Sequence, residues 1–238
     1  MRIAHLYPDL LNLYGDRGNI MCLKYRCEKR GIDVVVDEIS VGQRFDHNNY
    51  DILFIGGGQD FEQNVLLDDL HKGKDVEIKK AVADGTVLLA ICGGYQMLGK
   101  YYQTYTGEKM EYIGAIDFYT VGEKKRLIGN YAFDTSFGRI IGFENHSGRT
   151  YLGNCEPLGK VVSGFGNNGK DGTEGAHYNN AFCTYSHGPV LPKNPALADK
   201  LIETAMQRNF PGYTLESLND SAEEFARKQV ESLYINKK

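Results

Sequence analysis

Val87-Leu88-Leu89-Ala90-Ile91 is a run of five apolar residues with no polar alternation. That pattern suits a strand covered on both faces in the middle of a parallel sheet. Cys92-Gly93-Gly94-Tyr95-Gln96 follows it, and the paired glycines permit a sharp turn from the strand into a helix. Residues 3–7, 32–36 and 51–55 read as further short strands, the last running into Gly56-Gly57-Gly58-Gln59-Asp60. Between them the apolar spacing becomes helical at Ile20, Leu23 and Cys27, with Lys29-Arg30 in the last turn and Gly31 as the stop. A second helix is expected with Asp75 as its cap, Ile78, Ala81 and Val82 facing inward, and Gly85 ending it. Strands alternating with helices predict an α/β fold with a mostly parallel sheet flanked by helices. Ligands gather at the carboxyl ends of such strands, where both the triple glycine and Cys92 are placed.

After about residue 103 the pattern shifts to short Gly- and Tyr-rich segments at 113–121, 126–133 and 139–143. These predict antiparallel strands added to one edge or face of the sheet. Residues 163–176, with Asn167-Asn168 among repeated glycines, read as a mobile hairpin loop. A strand at 181–186 ends at His187-Gly188-Pro189, and Asn194-Pro195 open a helix using Leu197, Leu201, Ile202 and Ala205. A last amphipathic helix is expected over 215–233, with Leu218, Ala222, Phe225 and Ala226 on one side. We therefore divide the chain into a domain at 1–210 and a C-terminal helical extension at 211–238, packed on or near it.

Composition narrows the function classes. The chain has 238 residues and a net charge of -4, which leaves no basic footprint for nucleic acid. No apolar run reaches the length of a membrane span, and the N-terminus lacks a secretory pattern, so a cytoplasmic protein without membrane insertion is expected. Five scattered cysteines form neither a disulfide framework nor a zinc-binding C-x-x-C spacing. We expect no metal on this chain. No G-x-x-x-x-G-K-[ST] phosphate loop is present.

The residues themselves suggest a nucleophile and its helpers. A cysteine lifted from a strand end onto a helix N-terminus is placed where thiolate is favoured, although Cys92 also reads as a small buried apolar residue. His187, ending a strand, should project from the same edge as a base; alone it reads equally as a structural histidine. Glycines 56–58 can bring main-chain N–H groups to an oxyanion or form a plain tight turn, and the N–H of Gly93 is the natural second donor.

Taken together, Ile55-Gly56-Gly57-Gly58-Gln59-Asp60, Ala90-Ile91-Cys92-Gly93-Gly94-Tyr95-Gln96, Gly142-Phe143-Glu144-Asn145-His146 and Thr184-Tyr185-Ser186-His187-Gly188-Pro189 resemble the class I glutamine amidotransferases. The likeness is to the branch of cobyric acid and cobyrinic acid a,c-diamide synthases, and it covers residues 1 to about 210. Leu11-Asn12-Leu13-Tyr14-Gly15-Asp16-Arg17-Gly18-Asn19-Ile20 and Glu144-Asn145-His146-Ser147-Gly148-Arg149-Thr150 narrow it to the GatD-type glutaminase subunits of lipid II isoglutaminyl synthase. The resemblance implies hydrolysis of L-glutamine to glutamate and ammonia, with Cys92 as nucleophile and His187 as base. It further implies oxyanion donors from Gly57 or Gly58 and Gly93, and Arg126 on the α-carboxylate of glutamine. Gln96 would line the glutamine pocket. Arg126 also reads as a solvated basic turn, and Gln96 as an ordinary first-turn helix residue.

No cofactor is implied for this chain. ATP and magnesium would belong to a MurT-like Mur ligase partner that takes the ammonia and amidates the D-glutamate of lipid II in peptidoglycan synthesis. Many family members carry a glutamate two residues after the histidine, where this chain has Pro189. Either Asp16 or Glu144 replaces it, or the partner does, and our expectation is the partner. Glu144 and His146 read as structural. Three alternatives stay open: a glutaminase for a corrinoid-type synthase, a non-catalytic small-molecule binding module on the same fold, and a stand-alone cysteine hydrolase of γ-glutamyl peptides.

Overall fold

Strand β4 (Val87–Ile91) is buried at every position, as is β3 (Ile52–Ile55), because each is hydrogen-bonded on both sides and covered on both faces. The computed structural model describes residues 1–58 and 66–235, so Gln59 and Asp60 of the glycine motif lie outside the described residues. With β1 (Arg2–Leu6), β2 (Val35–Ile39), β11 (Ala176–Tyr178) and β12 (Ala181–Thr184), they form a sheet ordered β11-β12-β4-β3-β1-β2. All its pairings are parallel except β11 with β12. Helices α1 (Arg17–Glu28) and α2 (Asp75–Asp84) connect strands of this sheet, and the short α3 (Gly93–Leu98) leaves the end of β4.

The remaining strands do not extend this sheet. A second one is built on the long hairpin of β7 (Phe118–Thr135) and β8 (Gly138–Leu152). It is completed by β5 (Tyr101–Gln103), β6 (Lys109–Glu111), β9 (Gly159–Ser163) and β10 (Thr173–Glu174). The segments expected at 113–121 and 126–133 are thus largely one strand, interrupted by a register shift between Gly122 and Leu127. A bridge between Phe143 and His187 ties this sheet to the end of β12.

Several boundaries differ from expectation. β2 begins at Val35 rather than 32, and Asp75 is the first helical residue of α2 while Lys74 holds the cap position. Gly85 does end α2 in the left-handed conformation. The glycine-rich stretch at 163–176 is packed instead of mobile: Asn167 and Asn168 are buried, and β10 pairs with β9. Asn167 explains this, since its side-chain amide donates to the Gly175 carbonyl and its oxygen accepts from the Tyr95 hydroxyl.

After α4 (Val190–Lys193) and α5 (Pro195–Asn209), residues 211–220 are irregular, and the expected last helix starts late, as α6 (Ser221–Val230), and continues as a π-helix over Glu231–Ile235. Phe225 of α6 is 65% exposed, so the apolar side expected there does not face the core. This tail is held by charge: Arg26 pairs with Asp199 and Asp220, and Arg139 with Glu231. Ile235 packs with Ala132 and Ile141.

Candidate active site

Parallel register brings four loops to one rim. Ile55 lies beside Ala90 and Thr184 beside Ile91, so the residues that follow emerge together: Gly56 to Gly58, Cys92 and Gly93, and Tyr185 to His187. Leu6 of β1 pairs with Ile55, which adds the loop leading to α1.

Cys92 sits between strand and helix at φ 48°, ψ -103°. A residue with a side chain rarely adopts that conformation, and it persists only where its surroundings over-determine it. Its N–H donates to the Thr184 carbonyl at 2.9 Å, and its carbonyl accepts from Gln96 N–H at 2.9 Å. The turn also needs Gly94, where a Cβ would lie 2.7 Å from the carbonyl oxygens of both Ile55 and Gly56. The result is a cysteine only 6% exposed, ahead of the first N–H groups of a helix.

Gly57 is the point on which the other groups converge. A Cβ there would lie 2.7 Å from His187 Cε1, 3.1 Å from Asp16 Oδ2 and 3.4 Å from Cys92 Cβ. Only a bare main chain lets imidazole, carboxylate and cysteine share this space. His187 is fully buried, anchored by its N–H to the Phe143 carbonyl at 2.8 Å. Neither of its ring nitrogens has a hydrogen-bond partner among the described residues, nor does Asp16 Oδ1. Asp16 Oδ2 stands 3.8 Å from His187 Nδ1 and accepts the Gly57 N–H at 2.7 Å. Burial alone would disfavour a charged imidazole, but the Cys92 sulfur and the Asp16 carboxylate outweigh it and hold the His187 proton well above the ordinary histidine range.

The other site residues of the sequence fall in three places. Gly57 gives its N–H to Asp16, so in this conformation it is not aimed at an oxyanion, which leaves Gly58 and Gly93 of the three donors expected from the sequence. Gln96 is buried, its amide nitrogen 3.2 Å from the Tyr185 hydroxyl, in a polar layer that continues through Thr150 and Thr120. Arg126 is exposed beside the irregularity in β7. Its guanidinium donates from Nε to Asn145 Oδ1 at 2.6 Å and from Nη2 to the Asn145 carbonyl at 2.8 Å. It borders a cleft of about 330 Å³ shared with Tyr105, Lys124 and Ser147.

Of the acids that could replace the missing glutamate, Glu144 is directed elsewhere, accepting the N–H groups of Phe165 and Gly166. His146 stacks on Tyr185 at 3.6 Å and 6°, with Nδ1 2.7 Å from the Gly148 carbonyl. Burial pushes its pKa down to about 3, so it is a neutral wall residue. Tyr14 and Asn145 carry contacts to which sequence reasoning gave no role, although both lie inside motifs it singled out. Tyr14 packs edge-on to His187 and receives a hydrogen bond from Asn145 Nδ2.

A strained cysteine at a strand end and a buried histidine thus meet across a glycine that has no side chain to keep them apart. The CobB/CobQ-like glutamine amidotransferase domain matches residues 2–195. The chain belongs to the CobB/CobQ-like glutamine amidotransferase family.

Within this family it is 44% identical over 239 residues to the lipid II isoglutaminyl synthase (glutamine-hydrolyzing) subunit GatD of Streptococcus pneumoniae, covering 95% of this chain and 90% of that one. The subunit of the same name from Staphylococcus aureus is 45% identical over 224 residues, covering 94% and 91%. A probable cobyric acid synthase of Methanothermobacter thermautotrophicus is more distant, at 34% over 174 residues, 66% of this chain and 33% of that one. Among solved structures, a chain of PurLQS from Thermotoga maritima superposes with a TM-score of 0.55 at 16% identity, covering 87% of this chain and 98% of that one. A glutamine amidotransferase of the same organism gives 0.53 at 15%, covering 98% and 94%. At these identities the two structures bear on the fold alone. That fold is the expected α/β arrangement with a mostly parallel sheet flanked by helices. Among the described residues no helix is long and apolar enough to cross a membrane.

Proposed function

We propose that this chain is the glutaminase subunit of a lipid II isoglutaminyl synthase. The observation that carries this is the convergence of Cys92, His187 and Asp16 on Gly57. It occurs in a chain that matches two GatD subunits along nearly all of their length.

In this mechanism the Cys92 sulfur attacks the side-chain amide carbon of L-glutamine, and His187 takes the thiol proton. The tetrahedral oxyanion is held by the N–H groups of Gly58 and Gly93. His187 then returns the proton to the departing nitrogen, releasing ammonia and leaving a glutamyl thioester on Cys92. A water deprotonated by His187 cleaves the thioester to glutamate and restores the thiol. Asp16, beside Nδ1, orients the ring and supports its positive charge. Arg126 takes the α-carboxylate of glutamine, to which its planar fork is matched. Gln96 acts from the pocket wall, kept in place by Tyr185.

Ammonia set free in neutral water becomes ammonium and loses its nucleophilicity, so the product is useful only if a partner receives it along a protected path. A Mur-ligase-like subunit using ATP and magnesium to activate the D-glutamate carboxyl of lipid II fits that need. Ammonia release from glutamine, assayed with and without that partner, tests the proposal: expected is turnover that requires Cys92. The partnership is refuted if lipid II amidation driven by glutamine does not depend on this chain.

A further inference from the structure

His187 is fully buried, and the residue lying over it is Tyr14. The two rings meet edge-on, 4.8 Å between centroids at 60°, and Tyr14 also leans on Phe143. Tyr14 is 43% exposed and has φ 57°, in the left-handed region that residues with side chains avoid unless held there. Its neighbours are anchored: Leu13 N–H donates to the Gly57 carbonyl at 3.0 Å and Asp16 accepts the Gly57 N–H. A change confined to Tyr14 therefore leaves the rest of the loop in place.

The group that holds the Tyr14 hydroxyl is Asn145 Nδ2. Asn145 is in turn held by Arg126, which donates to both its side-chain and main-chain oxygens. The chain of contacts thus runs from an exposed guanidinium to the buried imidazole through two side chains.

We propose that Tyr14 and Asn145 form a latch that keeps the Cys92–His187 pair covered until a carboxylate occupies Arg126. This rests on the reading of Arg126 as the site of the glutamine α-carboxylate. A carboxylate takes the Nε and Nη2 hydrogens in charge-assisted bonds that a neutral amide oxygen does not match. Asn145 then loses the donor fixing its side chain, the Tyr14 hydroxyl loses its partner, and the strained residue relaxes away from His187. A ligand with a side-chain amide but no α-carboxylate leaves the latch closed. Tyr14 and Asn145 are accordingly positioning residues that set specificity for a free amino acid, acting through Arg126.

The test uses the full chain with no glutamine, measuring alkylation of Cys92 by iodoacetamide and locating the adduct by mass spectrometry against the other four cysteines. Expected is a rise at Cys92 of about threefold or more in Tyr14→Phe and in Asn145→Ala, from a larger open population. Asn145→Asp, which keeps an acceptor for Arg126 and can accept the Tyr14 hydroxyl, leaves the rate at or below that of the parent chain. Unchanged rates in Tyr14→Phe, or an equal rise in Asn145→Asp, overturn the latch. Tyr14→Phe removes only a hydroxyl at the surface, so it keeps the test decisive should Asn145→Ala unfold.

A second readout compares L-glutamine with L-glutaminamide, which lacks the α-carboxylate: both latch variants should narrow the ratio of their kcat/KM values by about threefold or more. A ratio identical to that of the parent chain contradicts the coupling. Alkylation needs no turnover, so the latch can fail while the glutaminase reading stands. An Arg126→Ala variant with unchanged KM would remove the carboxylate reading by itself.

Discussion

The carboxylate of Asp16 stands 3.8 Å from Nδ1 of His187 while its Oδ2 accepts the N–H of Gly57. That separation is longer than a hydrogen bond, and both groups are fully buried. A small movement of either would join them. The chain thus carries an acid where Pro189 denies it one in sequence.

Asp16→Asn tests this acid with little disturbance, because asparagine oxygen can still accept the Gly57 N–H. We expect kcat to fall by about tenfold or more with KM within a few-fold, since the imidazolium formed during turnover loses its counter-charge. Steady-state kinetics on the assembled enzyme check it. An unchanged kcat would mean that the acid comes from the partner, the arrangement expected from the sequence.

Arg126→Ala should raise the KM for glutamine by about tenfold or more and change kcat by much less, as expected for loss of a contact kept from ground state to transition state. A large fall in kcat at unaltered KM would instead place Arg126 in the chemistry.

Gly57→Ala should abolish turnover while the fold survives. Its methyl group would meet His187 Cε1 at 2.7 Å and must push the imidazole from the sulfur. Ammonia release alongside thermal unfolding checks both halves of this outcome.

The polar layer behind the site makes stability fall toward alkaline pH. Glu174 is buried, with Oε1 accepting from Tyr131, Thr184 and the Tyr185 N–H, and Oε2 without a partner among the described residues. Burial raises its pKa from 4.5 to about 7, opposed by those hydrogen bonds and reinforced by the nearby charge of Glu144. A pKa raised on folding gives stability that is whole below pH 4.5 and lost as pH rises through 7. Glu174→Gln imitates the neutral form, so its unfolding free energy should depend less on pH across that window. At pH 8 it should match or exceed the parent by on the order of 1–3 kcal/mol. Denaturant titrations at pH 5 and pH 8 provide the comparison.

The elements that place Cys92 were legible in the sequence because fully buried parallel strands leave unbroken apolar runs, as at 87–91, and strand-end glycines mark where the chain must turn. Glu144 and His146 were likewise readable as structural. What stayed hidden depends on contacts between distant segments. Asp16 and His187 are separated by most of the chain, and neither carries a local sign of the other. The fate of the Gly57 N–H follows from that same approach. In the glycine-rich stretch at 163–176, turn-forming composition suggested mobility, while buried Asn167 supplies bonds that no local pattern encodes. The last helix misled in the opposite way: amphipathic spacing signals a face but not whether the molecule covers it, and Phe225 stays in solvent.

The account stands most directly on one measurement: ammonia released from L-glutamine by the assembled enzyme carrying Cys92→Ala, beside the parent. Expected is release no faster than from glutamine alone, with amidation restored when ammonium salt is added, since only the hydrolytic half is lost. Glutamine hydrolysis by the Cys92→Ala enzyme at the parent rate would contradict the assignment of Cys92 and the mechanism built on it.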